Sequence, residues 1–457
     1  MTDIRDAWTT EVASWGGVAR PRHLVLRPGT RAEARAIVAD DSRLPLLAHG
    51  CGRSYGDVAL NPEGRLVQMT GLDRFIAFDR DTGLLTCEAG VRLADILDAV
   101  CRPEPDGGGW FLPVSPGTRF VTVAGAIAND VHGKNHHGFG TFGRHVAAIE
   151  LARSDGSVET ITPESHPDLF AATIGGLGLT GLILSATIRL RRVAGTALEA
   201  EDIRFDDLDA FFALADGSEA WEYTAAWIDC LATGTATGRG IFSRARHAPG
   251  RAAVPPALRP RKAVPLTPPV SLVGGLSLKA FNALYWRKLG LRERVLKTGS
   301  YEPVFYPLDA IGSWNRLYGP KGFYQFQCVV PPGADGRAAI AEMLRVIAQS
   351  GQGSMLAVLK TFGDLPSPGL LSFPKPGITL ALDFPNRGPE TLALLARLEA
   401  VTIEAEGRIY PAKDSCMSAA SFTRGYPAKA DFQRWIDPAF SSAFARRVGL
   451  IGEGSRA

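Results

Sequence analysis

The sequence predicts an α+β protein of two domains, and three observations carry that reading. At 457 residues the chain exceeds what one ordinary core accommodates. Short helix-like and strand-like segments alternate from residue 31 to 190. Near Arg192 the texture changes to longer segments with proline-rich breaks, which sets a boundary at about 195. The organisation expected is therefore a first domain over 1–195, a second over 196–407, and a C-terminal segment over 408–457.

The N-terminal residues include Asp3, Asp6 and Glu11 and lack an apolar core, so they do not read as a secretory signal. After the Pro28-Gly29-Thr30 turn, Arg31 to Asp40 has helical spacing. Leu44 to Ala48 then reads as a buried strand that delivers His49-Gly50-Cys51-Gly52-Arg53-Ser54-Tyr55-Gly56-Asp57. Three glycines with Arg53, Ser54 and Tyr55 between them make a concave run of amide donors suited to a pyrophosphate. The run is neither a GxGxxG turn opening a helix nor a GK[ST] phosphate loop, so nicotinamide and NTPase readings lose support. Leu66 to Met69 and Leu84 to Glu88 read as strands, with turns at Gly71 and Asp81-Thr82-Gly83. Leu93, Ile96, Leu97 and Val100 fall on one helical face and read as core. Arg102 to Gly109 is a Pro/Gly loop.

Leu112 to Arg144 concentrates the chemistry of the first domain. Pro116-Gly117-Thr118 is a turn. Ala124, Gly125, Ala126 and Ala128 are small enough for backbone amides to approach a flat or phosphorylated ligand. His132, Lys134, His136 and His137 follow within six positions. His132 and His136 have the i, i+4 spacing of zinc ligands on a helix, but Gly133 and Gly138 interrupt such a helix and Lys134 would sit beside the cation, so no metal is expected. Beyond it, Val146 to Arg153 reads as a strand, Asp155-Gly156 as a hairpin turn and Pro167 to Thr173 as a helix. A second glycine-rich loop, Ile174 to Gly181, leads into Leu182 to Leu190, which alternates with period two as a half-buried strand does.

In the second domain, Arg337 to Gln349 and Thr391 to Glu406 are helix-like. Helix-like spacing also recurs near Ala428 to Trp435, and Phe440 to Val448 closes the apolar pattern. Arg251 to Ser300 stands apart: ten Lys or Arg against the single acid Glu293, a net of +9 in a chain whose total is +3. Prolines, among them Pro255, Pro256 and Pro260, and aromatics, among them Phe281, Tyr285 and Trp286, interleave with that charge. The segment reads as a mobile excursion suited to an anionic lipid surface. A small overall charge and the lack of a stacking platform argue against nucleic acid. Six scattered cysteines without CxxC spacing fit a reducing compartment. No window approaches the length of a membrane-spanning helix, so a cytoplasmic protein, with peripheral contact to the inner face of the membrane, is expected.

GCGRSYGD, SPGTRFVTVAGAIANDVHGKNHH, WNRLYGPKGFYQFQ and IYPAKDS together resemble the vanillyl-alcohol-oxidase (PCMH-type) family of FAD-binding flavoproteins, across roughly Pro21 to Leu450. Within it they are most similar to the members that oxidise a polyprenyl-phosphoryl ribose. The resemblance implies a PCMH-type FAD domain, a substrate domain with an antiparallel sheet, and a C-terminal segment that returns to the FAD domain. It implies that FAD is held by Gly50, Cys51, Gly52, Arg53, Ser54, Tyr55 and Gly56. The later segments would add Gly117, Thr118, Thr122, Ala124, Gly125, Ala128, Asn129, His132, Gly133, Asn135, Ile183 and Tyr410. Covalent members carry His where Arg53 stands, so the attachment implied is non-covalent.

Flavin oxidation of a secondary alcohol needs a hydride acceptor, a group to take the hydroxyl proton, and positive charge beside the flavin pyrimidine edge. The resemblance assigns that charge to Lys413. His132 and Lys134 are both candidates for the proton, with Tyr55 a third, and histidine is favoured by its near-neutral pKa. The matched positions Tyr318, Gln325, Gln327, Lys360 and Phe362 would form the substrate cavity, with Lys360 on a phosphate. The resemblance departs at Ala381, where members acting on the prenyl-phosphoryl sugar carry cysteine, and at Thr379. The function implied is oxidation of the 2′-hydroxyl of a polyprenyl-phosphoryl pentose to a keto sugar, the first half of an epimerisation in cell-envelope arabinan precursor synthesis. A short-chain NAD(P)H reductase is the implied partner. An oxidase of free sugars, alditols or aldonolactones is the nearer rival, and a non-catalytic lipid- or polyanion-binding protein the remote one.

Overall fold

Parallel pairing delivers the glycine-rich loop. In the computed structural model, which describes residues 8–253 and 262–452, Leu46–His49 pairs parallel with Arg65–Gln68, itself parallel to Arg22–Leu26. Trp8–Glu11 closes the outer edge of this four-stranded sheet antiparallel. Leu46, Leu47, Leu66 and Val67 are all buried, so both faces are covered, as parallel strands require. The flanking helix Arg31–Val38 starts where Thr30 accepts the Glu33 amide, and it buries Ala34 and Val38, one turn apart.

The five-stranded sheet is antiparallel in the order Phe75–Phe78, Leu84–Glu88, Leu182–Arg189, Val146–Ala152, Val158–Ile161. The helix Leu93–Val100 buries the stripe Leu93, Ile96, Leu97 and Val100. Its neighbour Val123–Ala128 is six residues long, buries Val123, Ala126 and Ile127, and ends where the Asn129 backbone amide donates to Gly125 O. Thr122 caps it by accepting the Gly125 amide at 3.1 Å.

Between Leu198 and Ile409 eight of the described strands form one antiparallel sheet, while Lys262–Ala263 and Ile311–Gly312 pair apart from it in parallel. The order of the eight is Arg294–Gly299, Leu198–Phe205, Gly240–His247, Tyr223–Ile228, Val358–Phe362, Gly377–Pro385, Phe323–Val330, Arg408–Ile409. Side chains alternate across a strand, so register decides what meets what. Gln325 opposes Asp383, Gln327 opposes Ala381, and Lys360 opposes Thr379, so these polar residues share one face. Phe326, Cys328, Leu359, Leu380 and Leu382 take the other face. There they pack with Ile340, Met343 and Ile347 of helix Ala334–Ser350 and with Leu394, Leu395 and Leu398 of helix Pro389–Glu404.

The basic segment departs from the excursion expected of it. Pro255, Pro256 and Pro260 lie outside the described residues, as do Asp3 and Asp6, but 262–300 is ordered into helix Gly275–Trp286 and strand Arg294–Gly299. The strand pairs with Leu198–Ile203, and the helix buries Leu278 and Asn282. Sheet hydrogen bonds and one apolar stripe outweigh the charge repulsion that composition alone suggested.

The C-terminal segment lies against the glycine-loop sheet. The Leu46 amide donates to Ala439 O at 2.6 Å, and the Ser441 amide donates to Leu46 O at 2.9 Å. Arg447 bridges Asp57 at 2.7 Å and Asp414 at 2.8 Å, tying the end of the glycine loop to the turn that carries Lys413.

Candidate active site

The two glycine-rich stretches touch. A Cβ on Gly50 would stand 2.6 Å from Thr122 Oγ1, closer than any real contact, so only glycine lets the loop approach the helix cap. Gly52 takes a left-handed φ of +62°, which turns the chain back over His49. The Arg53 guanidinium lies 4.0 Å from the Trp15 ring centre and 5.9 Å from that of Phe120. Gly56 meets the third partner: a Cβ there would overlap Asp414 O at 1.9 Å, and the Tyr55 amide donates to Ala412 O at 3.0 Å. Lys413 is thereby set with its ammonium 4.1 Å from the Tyr55 ring centre.

The polar face of the eight-stranded sheet closes over this junction. His132, 8% exposed, has Nε2 2.9 Å from the Gln327 amide nitrogen and Nδ1 3.3 Å from Lys360 Nζ. A neutral imidazole has one lone pair, and the amide N–H occupies it at Nε2. Burial first, then the charges of Lys134 and Lys413, push Lys360 down to about 7. Burial, followed by the Lys360 charge, holds His132 well below the usual imidazole range, so it is neutral at neutral pH. Phe362, Phe373 and Tyr410 surround its ring at 4.8, 5.8 and 5.6 Å.

Asp383, 1% exposed, forms a second polar centre on the same face. It accepts from Gln325 Nε2 at 2.6 Å and from the Tyr318 hydroxyl at 3.4 Å. Burial raises its pKa, opposed by the Gln325 bond and the Lys413 charge. Burial likewise lowers Lys413, and the Asp383 carboxylate pushes it back up. Burial, then the Asp383 charge, holds the Tyr55 phenol well above its ordinary value.

Of the residues singled out in the sequence, His132, Gln327, Lys360, Phe362 and Tyr410 converge in the first centre, and Tyr55, Tyr318, Gln325 and Lys413 in the second. Others act through the backbone or as scaffolding. The Asn129 amide donates to Gly125 O at the end of the short helix, the Tyr410 hydroxyl donates to Asn129 O, and Asn135 Nδ2 donates to Pro113 O. Ala128 O accepts from Leu177, Thr118 Oγ1 accepts from Phe120, and Ile183 is buried in its strand opposite Leu151. Lys134 turns its ammonium to the Val304 carbonyl, with Asp202 the nearby carboxylate that favours its charge, and burial lowers it to about 8. His132 and His136 both pack on Phe362, with centroids at 4.8 and 4.4 Å. Asp383 and Trp15 were missed. For Asp383 the available signal was a lone acid in an alternating apolar strand, LALDFP. Trp15 gave none.

Arg53 Nε, Asn129 Oδ1, Gln325 Oε1 and Ser415 Oγ are buried without a hydrogen-bond partner among the described residues. Buried polar atoms are ordinarily satisfied, so two donors and two acceptors along one glycine-lined junction fit a polar cofactor such as FAD. The FAD binding domain family matches residues 22–162. Decaprenylphosphoryl-beta-D-ribose oxidase of Mycolicibacterium smegmatis is 37% identical over 97% of this chain and 98% of its own length. The chain belongs to that family of FAD-dependent oxidases. A Streptomyces coelicolor protein described only by its place in the mprA 5′ region is 38% identical over 75% of the chain and 96% of its own length. Similarity to a putative D-arabinono-1,4-lactone oxidase of Neurospora crassa is 30% and covers 36% of the chain and 29% of that protein. Membership makes this chain an FAD-dependent oxidoreductase acting on CH–OH groups, with the α+β architecture described above. Among the described residues no helix is long and apolar enough to cross a membrane.

Proposed function

We propose that this enzyme oxidises the 2′-hydroxyl of a polyprenyl-phosphoryl pentose to the keto sugar, with FAD held non-covalently. The observation that carries the reading is the pair of polar centres on one sheet face: Lys360, His132 and Gln327 in one, Lys413, Asp383 and Gln325 in the other. Bound FAD supplies the hydride acceptor. The loop 50–56 and the cap at Thr122 supply amides to its phosphates, and Lys413 supplies positive charge where reduction leaves an anion. His132, neutral at working pH, takes the hydroxyl proton at Nε2 once substrate replaces the Gln327 amide. Lys134, already committed to the Val304 carbonyl, is the poorer base. Lys360 meets the phosphate in its ammonium form and Gln325 and Gln327 the sugar hydroxyls. Ala381 faces the same cavity, so no thiol acts there.

The product keto sugar calls for a hydride donor to complete an epimerisation, the place of a short-chain NAD(P)H reductase in arabinan precursor synthesis. A cytoplasmic site on the inner membrane face would give the enzyme access to its lipid substrate. The test is anaerobic mixing of holoenzyme with prenyl-phosphoryl ribose, free ribose, an alditol and an aldonolactone, read as bleaching of the flavin band. Bleaching by the prenyl-phosphoryl sugar alone is expected, and equal bleaching by the unphosphorylated compounds would overturn the substrate. Acid precipitation should release the flavin, and flavin remaining in the protein pellet would overturn non-covalent attachment.

A further inference from the structure

Large exposed apolar side chains gather in one stretch. Leu266, Val270, Leu272, Leu276, Leu284 and Leu291 are all at least half exposed, with Leu276 at 85% and Leu291 at 102%. Single exposed leucines are ordinary, whereas six large apolar side chains exposed within one short stretch of chain point to a surface that another phase or molecule covers.

Helix Gly275–Trp286 shows how the set arises, because it has two apolar stripes. One packs inward: Leu278 is buried, Asn282 donates to Asp229 at 2.8 Å, and Tyr285 lies 4.6 Å from Trp227. The other, Leu276, Ala280 and Leu284 at fourfold spacing, faces solvent. Exposed Lys279, Arg287 and Arg292 flank it; residues 262–300 carry seven Lys or Arg against the one acid Glu293, and of these Lys288 and Lys297 pair with Asp202 and Arg294 with Glu201. The rest of the chain is net acidic, since the total is only +3. That asymmetry would turn this face toward an anionic surface and the remainder away from it.

The surface adjoins the reaction cavity. Val273 is buried in one cluster with Tyr55, Trp314, Tyr318 and Phe323, while its neighbour Leu272 is exposed and donates its amide to Leu317 O at 2.8 Å. One residue thus separates the exposed apolar face from the wall that carries the Tyr318–Asp383 contact.

We propose that residues 264–296 are a docking surface for an anionic lipid bilayer, seating the exposed leucines among the acyl chains and the lysines and arginines among the headgroups. The enzyme then takes its prenyl-phosphoryl substrate directly from the bilayer, a step that rests on the proposed function, whereas the docking itself does not. Full-length holoenzyme is floated with vesicles of phosphatidylcholine alone, or of phosphatidylcholine and phosphatidylglycerol in equal parts. Flotation with the anionic vesicles only, weakening as salt is raised, is expected. The exposed-site variant Leu276→Gln/Leu284→Gln/Leu291→Gln should partition about tenfold or more weakly, with unchanged flavin content and unchanged turnover of detergent-dispersed substrate. Wild-type protein that stays unbound, or a triple variant that floats as well as wild type, overturns the proposal. Capture of a soluble reductase by this surface, without vesicle binding, overturns it too. Flotation without turnover of any prenyl-phosphoryl sugar leaves the docking standing and removes the substrate.

Discussion

The contact between Gly50 and Thr122 can be tested with a double-mutant cycle. In Gly50→Ala the new Cβ would meet Thr122 Oγ1 at 2.6 Å and Cγ2 at 3.3 Å. Thr122 is β-branched and its Oγ1 is engaged by the Gly125 amide at 3.1 Å, so it cannot rotate away without surrendering the cap. Overpacking of this kind costs about 1–3 kcal/mol, and Thr122→Ala alone costs about 1 kcal/mol through the lost cap. In the double variant both clashing atoms are gone and Thr122 Cβ, 3.5 Å away, is at ordinary contact distance. The pair should therefore cost about 1 kcal/mol rather than the sum, a coupling of about 1–3 kcal/mol. Urea unfolding at saturating FAD measures the cycle, and flavin retained after dialysis shows whether Gly50→Ala also loosens the cofactor and Thr122→Ala restores it. Costs that add to within about 0.5 kcal/mol would mean that loop and cap do not touch.

Three further outcomes follow from the electrostatics. In Asp383→Asn the carboxylate that holds Lys413 charged is gone, so Lys413 loses its proton more readily. The alkaline limb of flavin reduction should move down by about one pH unit or more, and an unmoved limb in stopped-flow pH profiles would separate the two residues. In Lys360→Met, kcat/KM should fall about tenfold or more further for a phosphorylated substrate than for its unphosphorylated analogue; equal losses would take Lys360 off the phosphate. His247 is held neutral, with Nδ1 on Gly195 O at 2.7 Å and Nε2 3.1 Å from the Tyr223 hydroxyl, and burial lowers it to about 4. The unfolded chain binds the proton first, so stability present above pH 6.5 drains away toward pH 4. His247→Gln should flatten that acid slope in urea unfolding, and an unchanged slope would assign it to other groups.

Much of the local structure was legible. The helix Leu93–Val100 could be read from its stripe, because helical spacing is a property of neighbouring residues. The strand Leu182–Arg189 was equally plain, but it is not half-buried as its alternation suggested: Leu182 to Ala186 are covered on both faces. The FAD family could be recognised because glycines that allow close backbone approach, Gly50, Gly52 and Gly56, must stand in a fixed local order. The basic segment misled, since its charge is a local property while its order comes from pairing Arg294–Gly299 to a strand far away in the chain.

The sequence by itself therefore determined the cofactor class and the glycine-rich loop at 50–56, both encoded over short spans. Only the tertiary structure decided that Gln325 faces Asp383, that Lys413 shares their cavity, and that Lys134 turns to Val304 while His132 stays in the cleft. The physical reason is register: alternation along a strand sets which residues share a face, but which face meets which partner is settled by hydrogen bonds between strands distant in sequence. The same holds for the exposed leucines of 264–296, whose spacing was readable and whose exposure among the described residues was not.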